Sequence, residues 1–122
     1  MNLIEAAKQG NVTVVKEAIE KRADVNAKDK TGNSALLYAS FLGSIEIVKL
    51  LIEHGADVNI KDNTGYTALI IATIKGRTEI VKLLIEKGAD INVKDINGDT
   101  ALAKASSLGK TEIVNLLTMQ KH

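Results

Sequence analysis

Cysteine is absent from the 122-residue chain, which excludes disulfides, thiolate catalysis, zinc knuckles and iron–sulfur clusters together. Aromatic residues are nearly as scarce. Tyr38, Phe41 and Tyr66 are the three present, too few for the stacking platforms that hold single-stranded nucleic acid. Neither sign of charge predominates: sixteen Lys and Arg stand against fifteen Asp and Glu, a formal net charge of +1. No global field draws a polyanion, so neither nucleic acid nor a membrane surface is expected as a partner. No apolar run approaches the roughly 18–20 residues that cross a bilayer, and Glu5 and Lys8 interrupt the stretch where a signal peptide is apolar. Asn2 excludes N-myristoylation. An intracellular, cytoplasmic protein is expected, with the 45% hydrophobic and 25% charged composition of one globular domain.

Catalytic and ligand-binding motifs are missing as well. Neither a G-x-x-x-x-G-K-[ST] nor a G-x-G-x-x-G phosphate loop occurs. The two histidines, His54 and His122, have no partner at metal-ligand or catalytic spacing and read as solvated surface groups. The segment from Asp90 to Gly98 superficially suggests a calcium loop, yet Lys94 lies in its middle and the terminal bidentate Glu is lacking. Asn11-Val12-Thr13 fits a glycosylation sequon, an accident in a chain without a secretion signal. No cofactor, no metal and no enzymatic activity are expected.

The chain does contain a period of 33 residues. Gly10, Gly43, Gly76 and Gly109 stand in one register, Gly32, Gly65 and Gly98 in another, with Ala-Asp and Lys-Asp pairs recurring in phase. Segments 30–62 and 63–95 agree at 20 of 33 aligned positions, and most differences fall in the first half of the unit. Each unit is punctuated alike. Asp29-Lys30-Thr31-Gly32, Asp62-Asn63-Thr64-Gly65 and Asp95-Ile96-Asn97-Gly98 have the Asp and Gly of a type I turn. Ser34, Thr67 and Thr100 then suit the start of a short helix ending at Gly43, Gly76 or Gly109. A second helix follows, with Glu46, Glu79 or Glu112 in its first turn and Gly55 or Gly88 past its end.

In that second helix Ile47, Val48, Leu50, Leu51 and Ile52 are apolar, while Glu46, Lys49 and Glu53 share one solvated stripe. One helix pair cannot bury so much surface alone. The pairs must stack, and the expected fold is an all-α helix-turn-helix solenoid with projecting turns. The whole of 1–122 reads as a single repeat domain: 1–29 a first cap, 30–62 and 63–95 internal units, 96–122 a second cap. Arg22 occupies the register of Gly55 and Gly88, where a left-handed residue is expected and a side chain costs about 1 kcal/mol.

These residues resemble the ankyrin repeat family over essentially the whole chain. Gly32-x-Ser34-Ala35-Leu36, Ala39, Gly43, Glu46 to Ile52 and Gly55-Ala56-Asp57-Val58-Asn59 stand where that family has G-x-T-P-L, A, G, the I-V-x-L-L core and G-A-D-V-N. The family's T-P-L-H appears as Ser34-Ala35-Leu36-Leu37, Thr67-Ala68-Leu69-Ile70 and Thr100-Ala101-Leu102-Ala103, without the proline or the histidine. Packing by Leu37 and Ile70 must replace the histidine's hydrogen bonds. The resemblance implies a non-enzymatic module that binds an unidentified protein, monomeric when free. A self-associating assembly element, an artificial binding scaffold and, less favoured, a small-ligand binder or enzyme stand as alternatives. It further implies that turn tips and first-helix ends line an inner, concave face. Those registers hold Lys30, Thr31, Asn33, Phe41 and Leu42, then Asn63, Thr64, Tyr66, Ile74 and Lys75, then Ile96, Asn97, Asp99, Ser107 and Leu108. The expectation is one apolar band of Phe41, Leu42, Tyr66, Ile74, Ile96 and Leu108 with Phe41 and Tyr66 as its anchors. Leu42 and Leu108 are the members most apt to turn inward.

Overall fold

The computed structural model describes residues 1–120. Eight α-helices, and no strand among the described residues, follow one another as four pairs: α1 (Leu3–Gln9) with α2 (Val12–Glu20), α3 (Ala35–Leu42) with α4 (Ile45–Glu53), α5 (Ala68–Lys75) with α6 (Thr78–Glu86), and α7 (Ala101–Leu108) with α8 (Thr111–Thr118). None of them is long and apolar enough to cross a membrane.

Short helices of this length are not stable alone, and at the starts of α3, α5 and α7 a hydroxyl side chain caps a free amide. Ser34, Thr67 and Thr100 each sit in extended backbone and accept from the amide of Leu37, Ile70 and Ala103. The same helices stop at Gly43, Gly76 and Gly109, all left-handed. At the end of α2 the left-handed residue is Arg22, φ 63°, the one non-glycine of the described chain at positive φ. Arg22→Gly is therefore expected to raise stability by about 1 kcal/mol. An unchanged or lower urea midpoint would show that contacts of the Arg22 side chain offset the strain.

The odd-numbered helices form one row, α1 against α3, α3 against α5 and α5 against α7, and the even-numbered helices a second row behind it. Between the rows runs a continuous apolar core in which Leu36, Leu37, Ile47, Leu51, Leu69, Ile70 and Leu84 are almost wholly buried. Leu37 and Ile70 thus fill the register where the family's T-P-L-H carries histidine. Polar stitches join the pairs along the turns. Asn63 N donates to Thr31 O at 3.2 Å, and Ile96 N to Thr64 O at 3.0 Å. Asn26 and Asn59 accept at 2.7 Å from the amides of Asp57 and Asp90 in the following repeat.

Candidate functional site

The three turns are built around their aspartates. Asp29, Asp62 and Asp95 each use Oδ1 to accept two backbone amides, those of Thr31 and Asn33, Thr64 and Tyr66, and Asn97 and Asp99 respectively. This geometry accounts for the calcium-like segment. Asp95 is buried, its Oδ1 is consumed by the turn and its Oδ2 stands 3.1 Å from Lys104 Nζ, an ion pair without a directional hydrogen bond. Lys104 also reaches Asp99 at 3.3 Å. The amide of Asp99, with the Lys104 ammonium and the Asn97 amide, outweighs burial and holds the Asp95 carboxyl below its ordinary range; the Asp95 carboxylate in turn holds the Lys104 ammonium above its own. No group of three or more His, Cys, Asp or Glu among the described residues is placed to hold a metal. His54 is exposed, with Nδ1 2.8 Å from the Leu50 carbonyl, and His122 lies outside the described residues.

Asp29 has a different partner at Oδ2. The Tyr38 hydroxyl donates to it, and that bond, helped by the Thr31 hydroxyl and the turn amides against the opposing effect of burial, lowers the Asp29 pKa from 3.8 to about 2. The folded protein favours the carboxylate, so this stabilisation is complete above about pH 4 and is lost as the pH falls through about 2. Tyr38→Phe is expected to lower stability at pH 7 by about 1 kcal/mol or more. It should also narrow the gap in urea midpoint between pH 7 and pH 2; an unaltered gap would remove Tyr38 from the acid response.

Between the second and third helix pairs the ends of α3 and α5 enclose an open groove of about 610 Å³. Its floor and walls are Leu37, Tyr38, Phe41, Leu42, Tyr66, Ile71 and Ile74, and its rim carries Lys8, Asn33, Asp62 and Lys75. Phe41 is 53% exposed and Leu42 43% exposed, large apolar groups the scaffold leaves in water. The three aromatics each lie under a lysine from an adjacent pair: Lys8 Nζ is 5.2 Å from the Tyr38 ring centre, Lys75 4.4 Å from that of Phe41 and Lys104 5.6 Å from that of Tyr66. Arg77 reaches back from the start of α6 and donates to Phe41 O at 3.1 Å, closing the end of α3 beneath the exposed ring.

The groove gathers Asn33, Phe41, Leu42, Tyr66, Ile74 and Lys75 from the residues expected on the concave face. Lys30, Thr31, Asn63 and Thr64 stay exposed at the turn tips outside its lining, as do Ile96, Asn97, Ser107 and Leu108 around the fourth pair, where Asp99 is half-buried and held by Lys104. The inward turn expected of Leu42 and Leu108 does not occur: Leu108 is 50% exposed, while Tyr66 and Ile74 are the members that pack partly against the core. Leu42 instead extends along the surface toward Gly10, where a Cβ would meet its Cδ2 at 3.0 Å. Lys8, Leu37, Tyr38, Asp62 and Ile71 belong to the groove and were not expected there. For Tyr38 and Ile71 the signal is their shared register with Lys104, whose chemistry changes in every unit of an otherwise regular repeat; nothing in the repeat pattern singles out Lys8, Leu37 or Asp62 for the groove. A second, smaller hollow of about 230 Å³ lies between α4 and α6, between Lys49, Ile52, Glu53, Leu83 and Lys87.

The family model for ankyrin repeats, in three copies, matches residues 3–95 and 63–122. Among curated proteins no sequence matches this chain.

Proposed function

The chain belongs to the ankyrin repeat family, whose repeats are generally protein–protein interaction modules, and from that premise we propose that it is a non-enzymatic cytoplasmic module that docks a protein partner in the groove between its second and third helix pairs. One observation carries the reading. Phe41 and Leu42 end a helix whose remaining apolar residues are spent on the core, yet both stand in solvent beside Ile74 and Tyr66. Scattered exposed apolar residues need no explanation, whereas a contiguous set in a groove is the usual mark of an interface. Lys30, Thr31, Asn63 and Thr64 at the tips, with Ile96, Asn97, Asp99 and Leu108 beyond the groove, extend the surface over which a folded partner makes its outer contacts. The domain acts as one piece, with 30–62 and 63–95 supplying the groove and the two end segments capping it.

Aromatic side chains most often supply binding energy at the centre of an interface. With a partner recovered from the native lysate, Phe41→Ala and Tyr66→Ala are each expected to weaken binding more than tenfold, about 1.4 kcal/mol. Phe41→Ala should barely move the thermal midpoint, because half of the ring is already in water. Retained affinity in both variants, or collapse of the fold in the Phe41 variant, would defeat the assignment. Sedimentation that shows mass action toward dimers or larger species would favour the self-associating alternative through Ile96, Leu108 and Met119, which remain exposed.

A further inference from the structure

The three turn aspartates differ at one atom. In the first turn Oδ2 of Asp29 accepts from the Tyr38 hydroxyl; in the third Oδ2 of Asp95 faces the Lys104 ammonium at 3.1 Å. The residue responsible is the same by register, since Tyr38, Ile71 and Lys104 are 33 apart. In the middle turn that register holds Ile71, which has no donor to give. Oδ1 of Asp62 accepts from the Thr64 amide and hydroxyl and from the Tyr66 amide, and no described residue donates to Oδ2. Asp62 borders the groove, which Ile71, Phe41 and Ile74 also line. The chain therefore satisfies the turn carboxylate internally on both sides of the groove and leaves it open within it.

Resting on the docking role proposed above, we infer that the groove receives a tyrosine side chain of the protein partner, its ring on the apolar floor and its hydroxyl donating to Asp62 Oδ2. Two features select this donor from others. Lys75 stands on the rim with no carboxylate of the described residues paired to it, while Lys8 is paired with Glu5 at 3.8 Å, so an incoming lysine or arginine would meet the like charge of Lys75, whereas a phenol brings a donor without a cation. Serine and threonine carry the hydroxyl but lack the apolar surface that the floor of Phe41, Ile71 and Ile74 would cover. The pairing has a precedent in the same molecule, since Tyr38 makes this bond to Asp29 one repeat earlier. Lys75, 4.4 Å from the Phe41 ring centre, would lie beside a second aromatic face once the groove is filled.

N-acetyltyrosinamide, N-acetylphenylalaninamide and N-acetyllysinamide isolate the donor from the ring and from the charge. Titrated into the 15N-labelled protein, the tyrosine compound is expected to shift the amides of Thr64, Tyr66 and Ile71 to Ile74, with an affinity about fivefold or more above that of the phenylalanine compound. The lysine compound should be the weakest. Asp62→Asn keeps an oxygen for the turn amides and replaces the open acceptor by a donor, and Ile71→Tyr supplies the missing phenol from within the chain. Both are expected to abolish the preference for tyrosine over phenylalanine, and either variant suffices if the other does not fold. Equal binding of the tyrosine and phenylalanine compounds, tighter binding of the lysine compound, absence of tyrosine binding, or a preference that survives the substitutions overturns the inference. If the phenylalanine compound binds the same amides equally well, the tyrosine assignment falls and the apolar docking surface stands. Failure of docking itself is read separately, from partner affinity retained in both Phe41→Ala and Tyr66→Ala.

Discussion

Leu37→Ala and Ile70→Ala are each expected to lower the unfolding free energy by about 2–5 kcal/mol, whereas Ala103→Leu, at the same register of the last repeat, should change it by less than about 0.5 kcal/mol. The helices that carry Leu37 and Ile70, α3 and α5, are each packed between two neighbours of their row, whereas α7, which carries Ala103, has one. Leu37 and Ile70 are about 1% exposed, so truncation removes most of an apolar side chain from a packed layer that cannot close over the gap. Ala103 projects from α7 with no described helix over it, and is exposed. Urea unfolding of the three variants reads the difference. Equal, small effects at all three positions would mean that the layer relaxes around the loss; a large effect at Ala103 would mean that this face is covered.

A similar contrast lies in the turns. Gly32, Gly65 and Gly98 share φ near 80°, at 82°, 80° and 82°, so a side chain is strained equally at all three. Their surroundings differ. A Cβ at Gly32 would stand 2.8 Å from the Asn63 backbone nitrogen and one at Gly65 3.0 Å from Asp95 Cα, while one at Gly98 meets nothing within 4 Å. Gly98→Ala is expected to cost about 1 kcal/mol of strain. Gly32→Ala and Gly65→Ala add a collision with the next turn, for a total of about 2–4 kcal/mol. The difference between them and Gly98→Ala in unfolding midpoints measures how closely successive turns stack. Three equal losses would assign the whole penalty to the backbone angle.

The parts of this architecture that follow local rules are legible in the sequence. A turn aspartate with glycine three residues on, a hydroxyl before an apolar run and a glycine after it are each decided within a few residues, and their recurrence every 33 positions required stacking. Arg22 was readable for the same reason, since only register was needed to place it in a left-handed position. The groove was half legible. Turn tips and helix ends follow from register, but which of their side chains share one hollow depends on side-chain direction across two repeats. Hence Ile96 and Leu108 fall outside, and Tyr66 and Ile74 lean on the core. Lys8 and Lys104 look like ordinary surface charges in the sequence, while register alone places Lys75 on the concave face. That each lies over an aromatic ring of an adjacent repeat is a relation between repeats that no single one contains. Arg77, which closes the end of α3 through Phe41 O, was hidden likewise, because its register holds Ser44 and Lys110 in the adjacent repeats.

Each helix pair touches its neighbours and little else, so the first and last pairs are held by one interface and the two inner pairs by two. Opening at either end therefore breaks half as many contacts as opening in the middle, and spontaneous breathing starts from the outside. Amide exchange should accordingly be slowest in α3 to α6. The groove is built from α3 and α5, with Lys8 the single lining residue supplied by an outer pair. Its shape thus outlasts the loosening of the ends, so a partner docking there as proposed would meet a surface already formed, with little ordering left for binding to accomplish.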